Sequence, residues 1–167
     1  MKLTARKRGT YMYLLGSAAA LFGLDQCLKQ LVEQQSPEKF PRSMDYTGGK
    51  IKLYRNHNRG FCFEFLKHRP GLVKRLPLCL TSAAGGILCF LSAQSGYRAE
   101  KAGYALVFAG GLSNLYDRLK RGYVVDYFSI QSGFLKKVVF NLGDFFILAG
   151  AVILAVKSLF GREHGKS

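Results

Sequence analysis

The sequence is poor in the residues that build metal sites and disulfide frameworks. Its 167 residues include only four cysteines and three histidines. There is no Cys-x-x-Cys pair, three of the cysteines lie in apolar runs, and the histidines are scattered without metal-ligand spacing. We therefore expect neither a zinc site nor a disulfide framework, and no metal or cofactor.

Acidic residues are also scarce, with 10 Asp+Glu against 25 Lys+Arg and a formal net charge of +15. This balance fits a nucleic-acid binder, a membrane-surface binder or a membrane protein with basic flanks. The charged residues avoid four stretches, within which Asp144 is the only formally charged side chain. These stretches are residues 11–24, 76–93, 102–116 and 138–156. A nucleic-acid domain would carry basic residues along its helices, so we expect no nucleic-acid partner.

The four apolar stretches predict transmembrane helices. A helical span needs about 20 residues, and the first and third stretches reach that length only by continuing through polar residues. Polar residues within a span face a protein interior rather than lipid. The sequence thus predicts an all-α membrane protein forming one domain over residues 1–167, with spans at about 11–32, 76–93, 102–119 and 138–156. The alternative is a soluble domain with four buried helices.

The distribution of basic residues suggests how these helices are oriented. The basic segment 1–10 favours a cytoplasmic N-terminus, and an even number of spans returns the basic tail 157–167 to the same side. Segments 36–75 and 120–137 then lie outside the cytoplasm. Segment 36–75 is itself very basic, which conflicts with the positive-inside tendency, although its charges suit anionic lipid head groups.

Segment 36–75 has the alternation of β-strands. Residues 50–55 alternate basic and apolar side chains, as a half-buried strand does. Phe61, Phe63 and Phe65 are two residues apart and predict one face of a second strand. Residues 56–60 between them read as a turn.

The predicted topology brings polar residues that are distant in sequence to one membrane level. Asp25 and Lys29 share a face of the first helix, because residues four apart on a helix are neighbours. The same spacing groups Asn114, Asp117 and Arg118 on the third helix, and places Asn141 with Asp144 in the first turns of the fourth. Asp126 lies in the connection 120–137. We therefore expect the polar groups at the outer ends of the helices to lie close together.

Two carboxyl groups brought together in a partly dry site share a proton, and one pKa rises. The ionised acid can take a proton from water while the protonated acid hydrogen-bonds a scissile carbonyl, which is aspartic peptidase chemistry. Spacing offers three candidates for two places. Asp126 and Asp144 have apolar surroundings, which favours this pair, whereas Arg118 beside Asp117 favours a structural role.

Two other interpretations remain. The amides and acids can cap helices or clip them together, which is the simpler reading of each asparagine alone. Intramembrane acids also form proton relays in transporters, although four short spans without an inverted repeat are not typical of that class.

Five motifs in order resemble the signal peptidase II family of bacterial membrane aspartic peptidases. Three of them are Gly110-Gly-Leu-Ser-Asn-Leu-Tyr-Asp-Arg118, Gly122-Tyr-Val-Val-Asp-Tyr127 and Phe140-Asn-Leu-Gly-Asp144. Residues 24–29 resemble the Asp-x-x-x-Lys element of the first helix, and residues 58–63 resemble an Asn-x-Gly-Ala-Ala-Phe element. The resemblance covers nearly the whole chain.

The resemblance implies four transmembrane helices with a small extracytoplasmic β-cradle and a short outer helix. It implies a location in the bacterial cytoplasmic (inner) membrane, with the active site near the outer face, and we expect a monomer. The implied substrate is a diacylglyceryl-modified prolipoprotein, cut on the N-terminal side of the lipidated cysteine, and membrane lipids are implied partners.

Residue by residue, the resemblance makes Asp126 and Asp144 the catalytic pair. The implied substrate-binding and supporting residues are Asn58, Asn114, Arg118, Asn141, Asp25, Lys29 and Asp117. Phe61 and Cys62 depart from the family by replacing two alanines, so the substrate range is open. A non-catalytic or substrate-diverged relative that binds lipidated peptides is the alternative.

Overall fold

The chain is mostly helical with a small sheet, as predicted. The computed structural model describes residues 5–60 and 68–160. Its helices are α1 (Ala5–Glu33), α2 (Pro70–Ser92), α3 (Arg98–Lys120) and α4 (Leu142–Phe160). Its strands are β1 (Arg42–Ser43), β2 (Ile51–Asn58) and β3 (Val124–Ile130). Each of the four predicted helical segments corresponds to one of α1 to α4.

Two helices in the described part of the chain are long and apolar enough to cross a membrane. They run over Gly71–Ser92 and Leu142–Phe160, within α2 and α4. Helices α1 and α3 have 29 and 23 residues but are less apolar. The coarse prediction of apolar, membrane-compatible helices is therefore met, whereas the number of membrane passes stays a prediction.

The side chains are distributed in the opposite way to those of a soluble protein. Phe90, Leu148 and Leu159 are each more than 60% exposed on the outer surface of α2 and α4, at 65%, 62% and 77%. Asp25 and Lys29, by contrast, are fully buried. Charged groups normally stay at the surface of a soluble domain, so this arrangement is typical of helices that face lipid and enclose a polar interior.

The sheet is antiparallel with strand order β1-β2-β3. The strand predicted at residues 50–55 is present, but β2 continues through Asn58 and replaces the predicted turn at residues 56–60. An irregularity between Leu53 and Asn56 shifts the register, so that Asn56 pairs with Asp126. This strand pairs with β1 and with β3, and β3 lies in the segment that was expected to be a connection. The strand predicted around Phe61, Phe63 and Phe65 lies outside the described residues, as does Cys62.

Several helix boundaries differ from the predicted ones. Helix α2 begins at Pro70 rather than at residue 76, because proline is favoured in the first turn of a helix. Helix α4 begins at Leu142 rather than at residue 138. The preceding residues are extended, and Phe140 forms a bridge with Phe128 of β3. Between β3 and α4 lies a 3-10 turn at Gly133–Lys137, and the short outer helix stays a prediction.

Helix α3 lies at the centre of the molecule and packs on α1, α2 and α4. Glycines make its contact with α4 close. A Cβ atom on Gly150 would meet the main-chain oxygen of Gly103 at 2.5 Å, and a Cβ atom on Gly110 would meet the main-chain oxygen of Gly143. Small residues allow helix backbones to approach within a membrane, so these positions set the distance between α3 and α4.

We expect the Gly150→Ala variant to be destabilised, because the added methyl group would force α3 and α4 apart. Overpacking of this kind costs about 1–3 kcal/mol. Gly86→Ala is the matched control, since a Cβ atom on this helical glycine would meet nothing within 4 Å. Thermal unfolding in detergent measures both variants. A melting temperature for Gly150→Ala equal to or above that of Gly86→Ala would contradict the packing.

Candidate active site

A buried ammonium group lies at the base of the site. The Lys29 Nζ atom is 2.8 Å from Asp25 Oδ2 and 3.0 Å from Asp117 Oδ2, and these three side chains are fully buried. It also donates to Asn114 Oδ1 at 2.9 Å. A buried ion is tolerated when its charge and its hydrogen-bonding capacity are both met. Lys29 therefore joins α1 to α3.

Asp117 is a structural carboxylate of this cluster. Besides its contact with Lys29, Asp117 accepts two further hydrogen bonds. Its Oδ1 atom accepts one from Arg121 Nη1 at 2.6 Å, and its Oδ2 atom accepts one from the main-chain N–H of Val125 at 3.2 Å. Arg121 is the C-cap residue that follows α3, and it lies four residues after Asp117 on the same side of the helix end. Asp117 thus ties the end of α3 to the start of β3, as a supporting role requires.

Arg118 directly follows Asp117 but projects from another side of α3, because adjacent helical residues do not face each other. Its Nη1 atom donates to the main-chain oxygen of Asn114 at 3.2 Å, and its Nη2 atom donates to that of Gly60 at 3.0 Å. Arg118 thereby links α3 to the segment that follows β2.

Asp126 is held by two amide side chains. Asn141 Nδ2 donates to Asp126 Oδ1 at 2.7 Å, and Asn58 Nδ2 donates to Asp126 Oδ2 at 3.1 Å. Burial, with the nearby charge of Asp144, raises the pKa of Asp126 to about 7, although the hydrogen bonds from Asn141 and Asn58 oppose the shift. Asp126 is therefore poised to hold or release a proton near neutral pH.

Asp144 is oriented by a capping box at the start of α4. Its main-chain N–H donates to Asn141 Oδ1 at 3.0 Å, and its Oδ2 atom accepts the main-chain N–H of Asn141 at 3.1 Å. This reciprocal pairing over three residues satisfies two otherwise unpaired donors of the helix end. Asn114 Nδ2 donates to Asp144 Oδ1 at 2.8 Å. The carboxyl group is thus fixed by two hydrogen bonds, one to each of its oxygens.

A cavity of about 770 Å³ has both acids in its wall. The polar part of the lining consists of Asn58, Asn114, Arg118, Asp126 and Asp144, together with Asn56 and Lys137. The remaining lining is mostly apolar and comes from α2, α3, α4, the start of β3 and residues 138–140. A ligand with a polar group at one end and a lipid or apolar peptide portion at the other would match this distribution.

The structure brings the nine site residues named from the sequence into one hydrogen-bonded cluster. Five of them line the cavity, Asn141 lies beside them, and three form the base beneath it. One local prediction needs correction: Asn141 is the N-cap of α4 rather than a residue in its first turns. The extended residues before Leu142 pair with β3 and delay the start of the helix.

Sequence reasoning missed four residues that contact the base of the site, namely Gln26, Ser113, Arg121 and Tyr127. Arg121 was detectable because it lies four residues after Asp117 at the end of the same helix. Gln26 and Ser113 gave only the weak signal of polar residues adjoining named ones. Tyr127 gave none, because an aromatic residue next to Asp126 also fits an apolar strand.

Comparison with known proteins agrees with this arrangement. The family described as signal peptidase (SPase) II matches residues 17–160. A lipoprotein signal peptidase of Xylella fastidiosa (strain M12) is 33% identical over 147 residues, which are 87% of each chain. One of Xanthomonas campestris pv. campestris (strain 8004) is 33% identical over 152 residues, which are 89% of each chain.

A solved structure described as a bacterial membrane enzyme has the same fold. It superposes with a TM-score of 0.73 and 19% sequence identity, covering 95% of this chain and 94% of the other. A second such structure gives a TM-score of 0.70 with 20% identity. At these identities the likeness concerns the fold alone, whereas the sequence matches extend over most of the chain. The protein therefore belongs to the signal peptidase II family.

Proposed function

We propose that this peptidase removes the signal peptide from diacylglyceryl-modified prolipoproteins, cutting on the N-terminal side of the lipidated cysteine. Asp126 and Asp144 are the proposed catalytic pair. The observation that carries this choice is that Asn141 hydrogen-bonds both acids, one through its side chain and one through its main chain. Both acids also line one cavity.

In the proposed reaction the acid pair holds one proton. The ionised acid takes a proton from a water molecule, whose oxygen attacks the scissile carbonyl carbon while the protonated acid donates to the carbonyl oxygen. The tetrahedral intermediate then collapses. The carbon–nitrogen bond breaks, the leaving nitrogen receives the proton taken from water, and the pair regains its single proton.

Three side chains support this chemistry in the proposal. Asn58 and Asn114 each hold one acid by a hydrogen bond, so each carboxyl group keeps its orientation during proton transfer. Arg118 lies in the cavity wall, where its guanidinium group can donate to the carbonyl oxygens of a bound peptide.

The cavity wall suits a lipid-modified peptide. Leu80, Ile87, Val107 and Ile147 line its apolar part. A diacylglyceryl chain or an apolar signal segment would bury its surface there while the scissile bond lies at the acids. The substrate thus has to be presented from within the membrane.

The proposal includes four membrane passes in the bacterial inner membrane, with both termini in the cytoplasm. Supporting this topology, α1 and α3 are each long enough to span a bilayer, at 29 and 23 residues. Asp25, Asp117 and Asp144 meet near one end of their helices. The protein acts as a single-domain monomer, since one chain supplies both acids and all of their supports.

The proposal also includes contact with membrane lipids at the outer surface. The 3-10 turn Gly133–Lys137 precedes α4 and exposes Phe134 by 64% and Leu135 by 41%, beside the exposed Lys136 and Lys137. Aromatic and basic residues together are typical of a membrane interface. Lys137 also lines the cavity, so lipid contact would lie at its entrance.

We expect Asp126→Asn and Asp144→Asn each to lower the rate of prolipoprotein cleavage by at least about 1,000-fold, because an amide cannot exchange the required proton. A gel-shift assay on a diacylglyceryl-modified prolipoprotein measures the loss. Asp45→Asn is the control, since Asp45 is exposed and lies outside the cavity wall.

Full activity in either acid variant would refute the proposed pair. Tight binding of the lipidated peptide without cleavage by the parent protein would instead indicate a non-catalytic member of the family.

We also expect the cleavage rate to fall as the pH rises above about 7. Because the raised pKa of Asp126 is about 7, its proton is lost through that pH, and the singly protonated pair disappears at higher pH. The fall should approach about tenfold per pH unit. The measurement is kcat/KM between pH ~6 and ~9, with melting temperatures at each pH as the control for unfolding. A rate that keeps rising to pH ~9 would contradict this assignment.

A further inference from the structure

Asp25 is surrounded by hydrogen-bond donors from four elements of the fold. Its Oδ2 atom accepts the Ser113 hydroxyl at 2.6 Å as well as the Lys29 ammonium group at 2.8 Å. Its Oδ1 atom accepts the Tyr127 hydroxyl at 3.1 Å and the main-chain N–H of Leu142 at 3.1 Å. Asp25 and Ser113 are fully buried, and Tyr127 is 5% exposed.

The direction of both hydroxyl bonds follows from the other partners. Ser113 Oγ is 3.3 Å from Lys29 Nζ, and Tyr127 Oη is 3.0 Å from the main-chain nitrogen of Leu142. An ammonium group and an amide N–H can only donate, so each hydroxyl accepts from them and sends its own proton to Asp25. The arrangement is satisfied when Asp25 is an ionised carboxylate.

Two paths of successive hydrogen-bonded groups connect the Asp25 carboxylate with the proposed catalytic acids. In the first, Asp25 holds Lys29, which donates to Asn114 Oδ1 at 2.9 Å, and Asn114 Nδ2 donates to Asp144 at 2.8 Å. Because Lys29 only donates, the oxygen of Asn114 must face it, and the Nδ2 group is left to face Asp144.

The second path passes through the start of α4. Asp25 and Tyr127 both accept the main-chain N–H of Leu142. Leu142 directly follows Asn141, whose side chain donates to Asp126. A fixed Leu142 therefore fixes the capping box and the orientation of both acids.

We propose that Ser113 and Tyr127 are positioning residues of the peptidase, whose hydroxyl groups orient Asp126 and Asp144 through Asp25. This inference rests on the proposed function. Neither residue is among the described residues that line the cavity. Both hydroxyls therefore affect the chemical step rather than the binding of substrate.

The test compares Tyr127→Phe and Ser113→Ala with two matched controls. Tyr123→Phe removes a hydroxyl that donates to Glu33 at 3.3 Å, and Ser92→Ala removes a buried helical hydroxyl that donates to the main-chain oxygen of Leu88 at 2.6 Å. Cleavage of a diacylglyceryl-modified prolipoprotein gives kcat and KM, and thermal unfolding gives the melting temperature of each variant.

We expect kcat to fall about tenfold or more in Tyr127→Phe and Ser113→Ala, with KM changed by less than about twofold. Both controls should keep the parent values. Unchanged kcat in both variants, or a rise in KM at constant kcat, would overturn the inference.

A double-variant cycle separates positioning from general stability. If Tyr127 acts through Asp25, then adding Tyr127→Phe to Asp25→Asn should lower kcat by less than about twofold further. A full additional loss would mean that the hydroxyl acts independently of Asp25, and would overturn the inference.

The parent protein provides a measurement that does not depend on the folding of any variant. The Ser113 hydroxyl proton, donated to a buried carboxylate at 2.6 Å, should give a slowly exchanging downfield proton resonance, and a rapidly exchanging one would contradict the geometry. The proposed function fails separately, if Asp126→Asn or Asp144→Asn stays active. Inactive acid variants together with unchanged hydroxyl variants would refute the positioning role alone.

Discussion

The buried ammonium group of Lys29, held between Asp25 and Asp117, is the interaction on which the rest of the site depends. Removing such ions from water costs several kcal/mol each, which only close pairing and full hydrogen bonding can offset. With Arg121 added, two cations balance two carboxylates in this cluster. Because the members come from α1 and α3, the cluster can be satisfied only when these helices meet at one register.

The hydrogen-bond donors around the supporting acids Asp25 and Asp117 differ from those around the proposed catalytic acid Asp126. Asp25 and Asp117 receive full positive charges, whereas Asp126 receives neutral amide donors. Neutral donors leave the cost of burial largely uncompensated, which is why the pKa of Asp126 is raised. The fold thus separates acids that are paired with cations from an acid that is held by neutral donors and can exchange a proton near neutral pH.

Much of the fold was predictable from the sequence, because it depends on local patterns. The exclusion of charge from four stretches located the helices, and the alternation of residues 50–55 located the start of β2. The continuation of β2 through Asn58 was not predictable, because its partner β3 lies about 70 residues later in the chain and the register includes an irregularity. Sequence periodicity carries no information about such long-range pairing.

The site was predictable in composition but less so in geometry. Helical spacing grouped Asp25 with Lys29, and Asn114 with Asp117 and Arg118. The structure keeps the first group and joins Asn114 to Asp117 through Lys29, whereas Arg118 donates to the main-chain oxygens of Asn114 and Gly60. Asn141 was expected inside α4, whereas it caps that helix and contacts both acids as a result. Ser113 and Tyr127 escaped notice because a lone hydroxyl in an apolar run is usually a packing residue, and only the three-dimensional fold brings both to Asp25.

The most direct test of the central claim is a titration of the Asp126 carboxyl group, followed by its ¹³C chemical shift in the detergent-solubilised protein. We expect a midpoint near 7 in the parent protein. We also expect a lower midpoint in Asp144→Asn, because the neighbouring charge is then absent. A midpoint near the ordinary value of 3.8 in the parent would contradict the proposed role of Asp126, since Asp126 could not then hold the proton at neutral pH.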